Sequence, residues 1–245
     1  MQITVLENTP TRAGFLITKA GPEGIAYLNA IRRAIISQLP SFAIEDVTVY
    51  ENNSALFNEY IAHRLGLIPL TYEESMAPDA QVEFSLMAEG PCTVYSRDLK
   101  TADEKVRVFA QNVPIAVLGL DQKLRLEAVA ILGTAKTHAK FQCAHASYAA
   151  LTELTPQKKV SEDDIVQTYA ASSEKPEEFA KKHPELCDFN LEHVKIGETA
   201  YKVECKDDSF LFYVESYNNI PAEKQFENAV ALVKAKLSEL SAALK

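Results

Sequence analysis

Near the start of the chain, apolar and polar residues alternate as they do in half-buried β-strands. Ile3 and Val5 form one alternating set, and Phe15 and Ile17 form the next. Turn-forming residues at positions 9–14 separate the two sets. We therefore predict an antiparallel hairpin in which both strands are half buried.

The next segment has the period of an amphipathic helix, and it ends at Pro40. Its apolar side chains fall on one stripe: Ile25, Leu28, Ile35, Ile36 and Leu39. Arg32 lies within this stripe, whereas Arg33 points about 100° away from it. The two arginines are therefore not equivalent, and a covered Arg32 would need a carboxylate or carbonyl partner.

A strand over residues 43–50 and a short helix follow. Ser54 is the predicted N-cap of this helix, and Gly66 is its predicted C-terminal stop. The apolar stripe of the helix consists of Phe57, Ile61 and Leu65. Residues 81–132 then alternate again and predict a mostly β block.

The polar segment 156–190 has helical spacing and predicts a small separate lobe. Two strands are expected after it, near 199–205 and 209–215. The fold class that follows from the whole pattern is α+β.

The last segment carries the most regular pattern in the chain. After Pro221, apolar residues recur at spacings of 4, 3, 4, 3 and 4: Phe226, Val230, Val233, Leu237, Leu240 and Leu244. The opposite face is charged, with Lys224, Lys234 and Glu239 among its residues, so this helix must bury one narrow stripe. The stripe can pack on the chain's own sheet or on a partner helix, and its heptad period favours the partner helix.

Composition and charge narrow the function classes. The chain has 245 residues, of which 47% are hydrophobic, which is normal for a folded globular protein. Its 34 acidic and 25 basic residues give a net charge of −9, which disfavours direct binding to nucleic acid or to an anionic membrane. The first residues lack a basic segment followed by an apolar run, and no run of about 18 apolar residues occurs. We therefore expect a cytoplasmic protein.

Histidines and cysteines raise the question of a metal or redox site. The two candidate sets are His138, Cys143 and His145, and His183, Cys187 and Cys205. Neither set makes a closed four-ligand site, and the four cysteines of the chain include no C-x-x-C pair. We expect no zinc, no iron–sulfur cluster and no other cofactor. A disulfide between Cys187 and Cys205 stays open, although reduced thiols are favoured.

Two neighbouring segments resemble known proteins in their actual residues, beyond the pattern of apolar and polar positions. The first runs from Leu28 to Val47 and begins LNAIRRAIIS, and the second, 58–70, reads NEYIAHRLGLIPL. Both resemble the alpha-like assembly subunits of cellular RNA polymerases, and the second resembles the archaeal and eukaryotic branch of that family, in particular its archaeal members. Two further matches, at 133–148 and 212–221, extend the likeness over nearly the whole chain.

The resemblance implies a split dimerisation domain of antiparallel strands and two long helices, with a mostly β insertion domain and a small polar lobe. The corresponding residues are 1–41 with 206–245, then 42–155, and 156–205. The lobe occupies the position of a ferredoxin-like domain but lacks its cysteine cluster. Ala135 and Asn218 stand where the family usually has glycine, and asparagine is tolerable there because it can adopt positive φ.

The resemblance also implies partners. The first and last helices would pair with the smaller subunit L through Leu28, Ile35, Leu39, Phe226, Val230, Val233, Leu237, Leu240 and Leu244. The residues expected to face the second-largest catalytic subunit are Arg32, Arg33, His63 and Arg64. The largest subunit and small assembly subunits are further expected partners. The chain itself would carry no active site and would serve a nucleotidyltransferase only as one subunit, without direct contact with nucleic acid or membrane.

Two other functions stay open at this point. The heptad helix could pair with itself in an independent homodimeric regulatory module. A small redox or metal protein built on the histidine and cysteine sets would instead carry stoichiometric metal or absorb visible light.

Overall fold

The computed structural model describes residues 1–21, 23–103, 105–157, 167–169, 193–196 and 199–244. Within them the chain forms two compact units, each built from separate stretches of sequence. The first unit comprises Met1–Asn8, Ala13–Arg32 and Ala146–Tyr213, and the second comprises Thr9–Arg12, Arg33–His145 and Val214–Lys245. The fold is α+β with mostly antiparallel sheets, as the sequence pattern predicts.

The described residues form twelve strands and three α-helices. The strands are β1 (Gln2–Asn8), β2 (Arg12–Thr18), β3 (Pro40–Asn52), β4 (Gln81–Glu89), β5 (Cys92–Tyr95), β6 (Lys100–Thr101), β7 (Pro114–Leu118), β8 (Lys123–Thr134), β9 (Ala144–Gln157), β10 (Gln167–Tyr169), β11 (His193–Ile196) and β12 (Thr199–Ser216). The helices are α1 (Gly24–Ser37), α2 (Asn58–Gly66) and α3 (Ala222–Ala243). None of these helices is both long and apolar enough to cross a lipid bilayer.

The sheet of the first unit joins strands from the two ends of the chain, in the order β1-β2-β12-β11-β10, and β9 also pairs with β12. Strands β1 and β2 are antiparallel, with Ile3 opposite Ile17 and Val5 opposite Phe15, so the predicted hairpin is confirmed. The side chains of Phe15 and Ile17 are buried, but β1 is exposed at all seven positions. The predicted half-burial is therefore wrong for β1, because this strand lies at the outer edge of the sheet.

The second unit has a four-stranded sheet in the order β3-β8-β4-β6 and a two-stranded ladder of β5 and β7. The antiparallel pairing of β3 with β8 extends along all of β3, from Pro40 to Asn52. These strands confirm the strand predicted over 43–50 and the β block predicted over 81–132. The hydrophobic core of this unit includes the almost completely buried side chains of Phe42, Phe84, Leu86 and Leu126.

Helix α2 contributes to this core through two of the three side chains of its predicted stripe. Ile61 and Leu65 are 0% exposed, whereas Phe57 is 80% exposed. Phe57 is the N-cap residue and has an extended backbone, so its side chain does not follow the helical stripe. The predicted cap by Ser54 is wrong, because the Ser54 hydroxyl donates to Oδ1 of Asn52 at 2.6 Å instead.

The end of the chain differs from the prediction in its strands. The two strands expected near 199–205 and 209–215 are one continuous strand, β12, of 18 residues. The charged residues at 206–208 lie within this strand and do not interrupt it. Most of the lobe predicted over 156–205 lies outside the described residues, and the domain boundaries stay a prediction.

Candidate partner interface

Helix α3 is buried at its start and exposed towards its end. Its first turns are buried within the chain through Ala222, Gln225, Phe226 and Ala229, whereas every residue from 234 to 244 is exposed. Four members of the predicted heptad stripe are exposed, Val230 by 38%, Leu237 by 52%, Leu240 by 57% and Leu244 by 78%. We call these four residues the α3 seam. The described residues of the chain thus leave a row of large apolar side chains open to solvent.

The exposed half of α3 gains little from its own chain. Most of the stability of a protein helix comes from packing its apolar face, and a helix that is polar on one side and apolar on the other gains free energy when the apolar side is covered. The α3 seam is apolar and the opposite face carries lysine and glutamate. The arrangement is therefore that of a helix suited to packing against another helix.

A buried polar network fixes the start of α3. Asn218 is 3% exposed, and its Oδ1 accepts hydrogen bonds from the backbone N–H of Ile220 at 3.1 Å and from Nε2 of Gln225 at 3.0 Å. The Ser216 hydroxyl donates to the carbonyl oxygen of Ile220 at 2.6 Å. The Cys143 thiol donates to Oε1 of Gln225 at 3.6 Å. This network holds the first turn of α3 against the end of β12 and the segment before β9.

A second set of hydrogen bonds joins α3 to the loop that follows α2. The backbone N–H of Tyr72 donates to Oδ1 of Asn219 at 2.6 Å, and Nδ2 of Asn219 donates back to the carbonyl of Tyr72 at 2.9 Å. Asn228 Nδ2 donates to Oε1 of Glu74 at 2.6 Å. The base of α3 is therefore anchored on the second unit, so the direction of its exposed half is set by the chain itself.

Four residues of the predicted partner interface, from α1, the segment after it and the first turns of α3, are buried in the chain itself. Leu28, Ile35, Leu39 and Phe226 are 0%, 1%, 4% and 6% exposed. Val233 is half-buried. The large exposed apolar side chains of α1 are instead Ile25, at 53%, and Tyr27, at 46%. Which residues contact a partner stays a prediction, but in the isolated chain only the α3 seam, among the residues predicted for this interface, is substantially accessible.

The four predicted docking residues differ in exposure. Arg33 and His63 are exposed, whereas Arg32 and Arg64 are half-buried. Arg32 donates from Nε and Nη2 to the amide oxygen Oδ1 of Asn29, at 3.2 and 2.9 Å. This is the carbonyl type of partner that a covered Arg32 was expected to need, and it leaves Arg33 as the more accessible arginine of the pair.

Helix α2 exposes an apolar face beside Arg64. Phe57, Tyr60 and Leu67 are 80%, 55% and 54% exposed. Arg64 donates from Nη2 to the carbonyl of Pro114. Sequence reasoning missed this face because it assigned Phe57 to the buried stripe. Tyr60 and Arg64 are four residues apart within α2 and so lie on one side of the helix, and this spacing was the signal that could have found the face.

The candidate metal and redox residues form no site in the part of the chain that the structure describes. Burial raises the pKa of the Cys143 thiol to about 12, so this thiol stays protonated at neutral pH and is a poor nucleophile and a poor metal ligand. His138 accepts the backbone N–H of Lys140 at Nδ1, at 3.1 Å. No group of three His, Cys, Asp or Glu side chains is placed to hold a metal among the described residues. His183, Cys187 and the side chain of Cys205, with the open question of their disulfide, lie outside them.

Comparison with known proteins places these features in a family. Residues 47–148 match the model of the RNA polymerase Rpb3/RpoA insert domain. The DNA-directed RNA polymerase subunit Rpo3 of Natronomonas pharaonis is 34% identical over 246 residues, which cover 99% of this chain and 97% of that subunit. The chain belongs to the Rpo3 family of RNA polymerase subunits.

Other Rpo3 subunits show the same likeness. The subunit of Methanocaldococcus jannaschii is 42% identical over 165 residues, which cover 66% of this chain and 79% of that subunit. The subunit of Thermococcus kodakarensis is 34% identical over 251 residues, covering 96% and 95%. The resemblance predicted from the sequence is therefore confirmed, and with it the assignment to transcription. In this Rpo3-family chain the insert-domain match spans α2 and β4 to β8, and it includes His63 and Arg64.

Proposed function

We propose that this chain is a non-catalytic assembly subunit of DNA-directed RNA polymerase that forms a heterodimer with the smaller subunit L and docks the large catalytic subunits. The observation that carries the proposal is the α3 seam, four large apolar side chains that are 38–78% exposed in the isolated chain. In this proposal residues 1–41 and 206–245 form a split dimerisation domain, and 42–155 form the insertion domain.

Burial of the α3 seam supplies the free energy of pairing in this proposal. Complete burial of a leucine or valine side chain stabilises by about 1.5–3 kcal/mol. The seam side chains are already partly covered, so each contributes a fraction of this value, and the facing side chains of the partner add a similar amount. The anchored base of α3 reduces the entropy lost on pairing, because the helix direction is set before the partner binds.

Charged substitutions in the α3 seam test the pairing. The variant with Leu237→Glu and Leu240→Glu is expected to fold as the parent chain does, because both side chains are more than half exposed. Its affinity for an L-type subunit is expected to fall by at least about a hundredfold, since two apolar contacts are lost and two charges would be buried. Titration followed by isothermal calorimetry measures this change.

A matched variant on the other side of the same helix serves as the control. Ala235 and Ala242 are exposed and lie on the face opposite the seam. Ala235→Glu with Ala242→Glu adds the same charge to the same helix and is expected to bind the L-type subunit as tightly as the parent. Equal weakening by both variants, or by neither, would contradict pairing through the seam.

Arg32, Arg33, His63 and Arg64 are proposed to face the second-largest catalytic subunit. Arginine suits such a role because its planar guanidinium binds a carboxylate through two parallel hydrogen bonds, and because its positive charge is stabilised by the negative end of a helix dipole. Arg33 and His63 are exposed in the isolated chain, and the apolar face of α2 lies beside His63 and Arg64. Exposed apolar side chains next to basic groups are typical of a surface that contacts another protein.

Replacement of both arginines of α1 tests this docking. Arg32→Ala with Arg33→Ala is expected to reduce co-purification of the second-largest subunit by at least about tenfold, while the heterodimer with the L-type subunit keeps its mass. The control replaces two exposed lysines of α3, Lys224→Ala with Lys234→Ala, which removes the same charge elsewhere. Unchanged recruitment by the arginine variant would remove these residues from the docking surface.

A further inference from the structure

Two lysines border the α3 seam, one on each side. A helix turns by about 100° per residue, so Lys234 and Lys236 lie about 80° to either side of the centre of the seam. Both side chains are exposed. In two paired helices, the positions that border the apolar stripe lie close to the partner helix, and their charges influence which partner binds. Both lysines therefore lie where a partner helix would meet them.

The chain itself does not neutralise these two lysines. Among the residues that the structure describes, no carboxylate oxygen lies within 4.0 Å of either ammonium group. Lys236 donates from Nζ to the amide oxygen Oε1 of Gln38, which is an uncharged partner. At Lys234, the backbone carbonyl accepts a hydrogen bond from the Ser238 hydroxyl at 3.0 Å. Both positive charges are therefore available to a partner.

The glutamates of α3 do not offset this positive charge. Glu227 is already paired with Lys224, at 3.2 Å between its Oε2 and the lysine Nζ. Glu239 lies about 140° from the centre of the seam, on the side of the helix that a partner would not cover. Glu223 belongs to the first turn, which is packed on the chain itself. The borders of the exposed half of α3 therefore carry two positive charges and no negative one.

A second copy of this chain is poorly matched to the seam for the same reason. Two copies paired through the exposed halves of α3 would bring four lysines to the borders of one helix pair, whether the helices ran parallel or antiparallel. No carboxylate of these halves lies at the borders to compensate. Like charges disfavour such a pair, whereas a partner with carboxylates at its own borders gains an opposite charge on each side.

We propose that Lys234 and Lys236 select the partner of the α3 seam, which is an amphipathic helix with carboxylates on both borders of its apolar stripe, and that the same lysines disfavour pairing with a second copy of this chain. The inference rests on the proposed function and adds the chemistry by which the partner is chosen. Exposed ion pairs contribute modestly to affinity, so loss of one border lysine, as in Lys224→Ala with Lys234→Ala, is expected to weaken binding by no more than about threefold.

Charge reversal tests the selection. Lys234→Glu with Lys236→Glu leaves the seam itself intact and is expected to weaken binding of an L-type subunit by about tenfold in calorimetry at about 0.1 M NaCl. At about 1 M NaCl the charges are screened, so the parent is expected to bind more weakly and the variant more tightly, and the two affinities converge. Lys100→Glu with Arg107→Glu, at exposed positions outside α3, makes the same change in net charge and is expected to keep the parent affinity.

A mixture of the parent and the charge-reversed chain tests the exclusion of a second copy. Light scattering is measured at a concentration at which each chain alone stays monomeric. The mixture places lysines opposite glutamates, and it is expected to form a one-to-one dimer of parent and variant.

Two results would overturn the proposal: a mixture no more associated than the separate chains, or a charge-reversed chain that binds the L-type subunit with the affinity and salt dependence of the parent. Failure of the unaltered chain to bind the L-type subunit at either salt concentration would instead count against the proposed function, so the two failures are distinguishable.

Discussion

At the scale of single residues, Asn218 shows how a side chain can matter for a reason that its backbone does not reveal. The sequence led to the expectation that asparagine is tolerable at this position because it can adopt positive φ. In the described part of the chain, the non-glycine residues with positive φ are Lys19 and Asp121, so Asn218 is not held there for its backbone. Its amide oxygen instead accepts hydrogen bonds from Ile220 and Gln225 at the start of α3.

Replacement of Asn218 by glycine tests this role. Asn218→Gly is expected to lower the free energy of unfolding by about 2–4 kcal/mol, because it leaves two buried donors unsatisfied and adds backbone freedom to the unfolded chain. Urea unfolding measures the change. Gln111→Gly, at an exposed turn position away from this network, adds the same freedom to the unfolded chain, and an equal loss in both variants would contradict this role of Asn218.

At the scale of elements, periodicity located the helices well but did not determine which side chains they bury. The heptad predicted α3, and the same reasoning predicted α1 and α2. Phe57 was misassigned because its side chain belongs to an N-cap residue outside the helical repeat. Phe226 and the α3 seam share one stripe, yet only Phe226 is buried. Burial depends on which distant segments of the chain pack against the helix, and the periodicity of the sequence does not contain that information.

Two substitutions near α2 test whether a position in the predicted apolar stripe is also a buried position. Leu65→Ala is expected to lower the free energy of unfolding by about 2–5 kcal/mol, because a completely buried side chain leaves a cavity in the core. Phe57→Ala, at a position of the same predicted stripe, is expected to change it by less than about 0.5 kcal/mol. Thermal or urea unfolding of the isolated chain checks both values, and a large effect of Phe57→Ala would show that its exposure is misassigned.

At the scale of the whole molecule, the fold class was predictable and the connections between distant segments were not. Alternation and heptads indicate α+β, but nothing local in β1 indicates that it would become an exposed edge strand. The residues 206–208 are polar enough to predict a break, yet β12 continues through them. The partner helix interface was predicted on α1 and α3, but the apolar face of α2 was not, because Phe57 was assigned to the buried stripe of that helix.

Pairing of the α3 seam with a different, smaller subunit is tested most directly by the mass of the purified chain. Light scattering would be measured on the chain alone and on the chain co-expressed with an L-type subunit. We predict a stable one-to-one heterodimer, and a lone chain that is folded but self-associates to no defined mass as its concentration rises, because its seam is uncovered. A well-behaved homodimer that ignores the L-type subunit would contradict the account and would favour an independent homodimeric module.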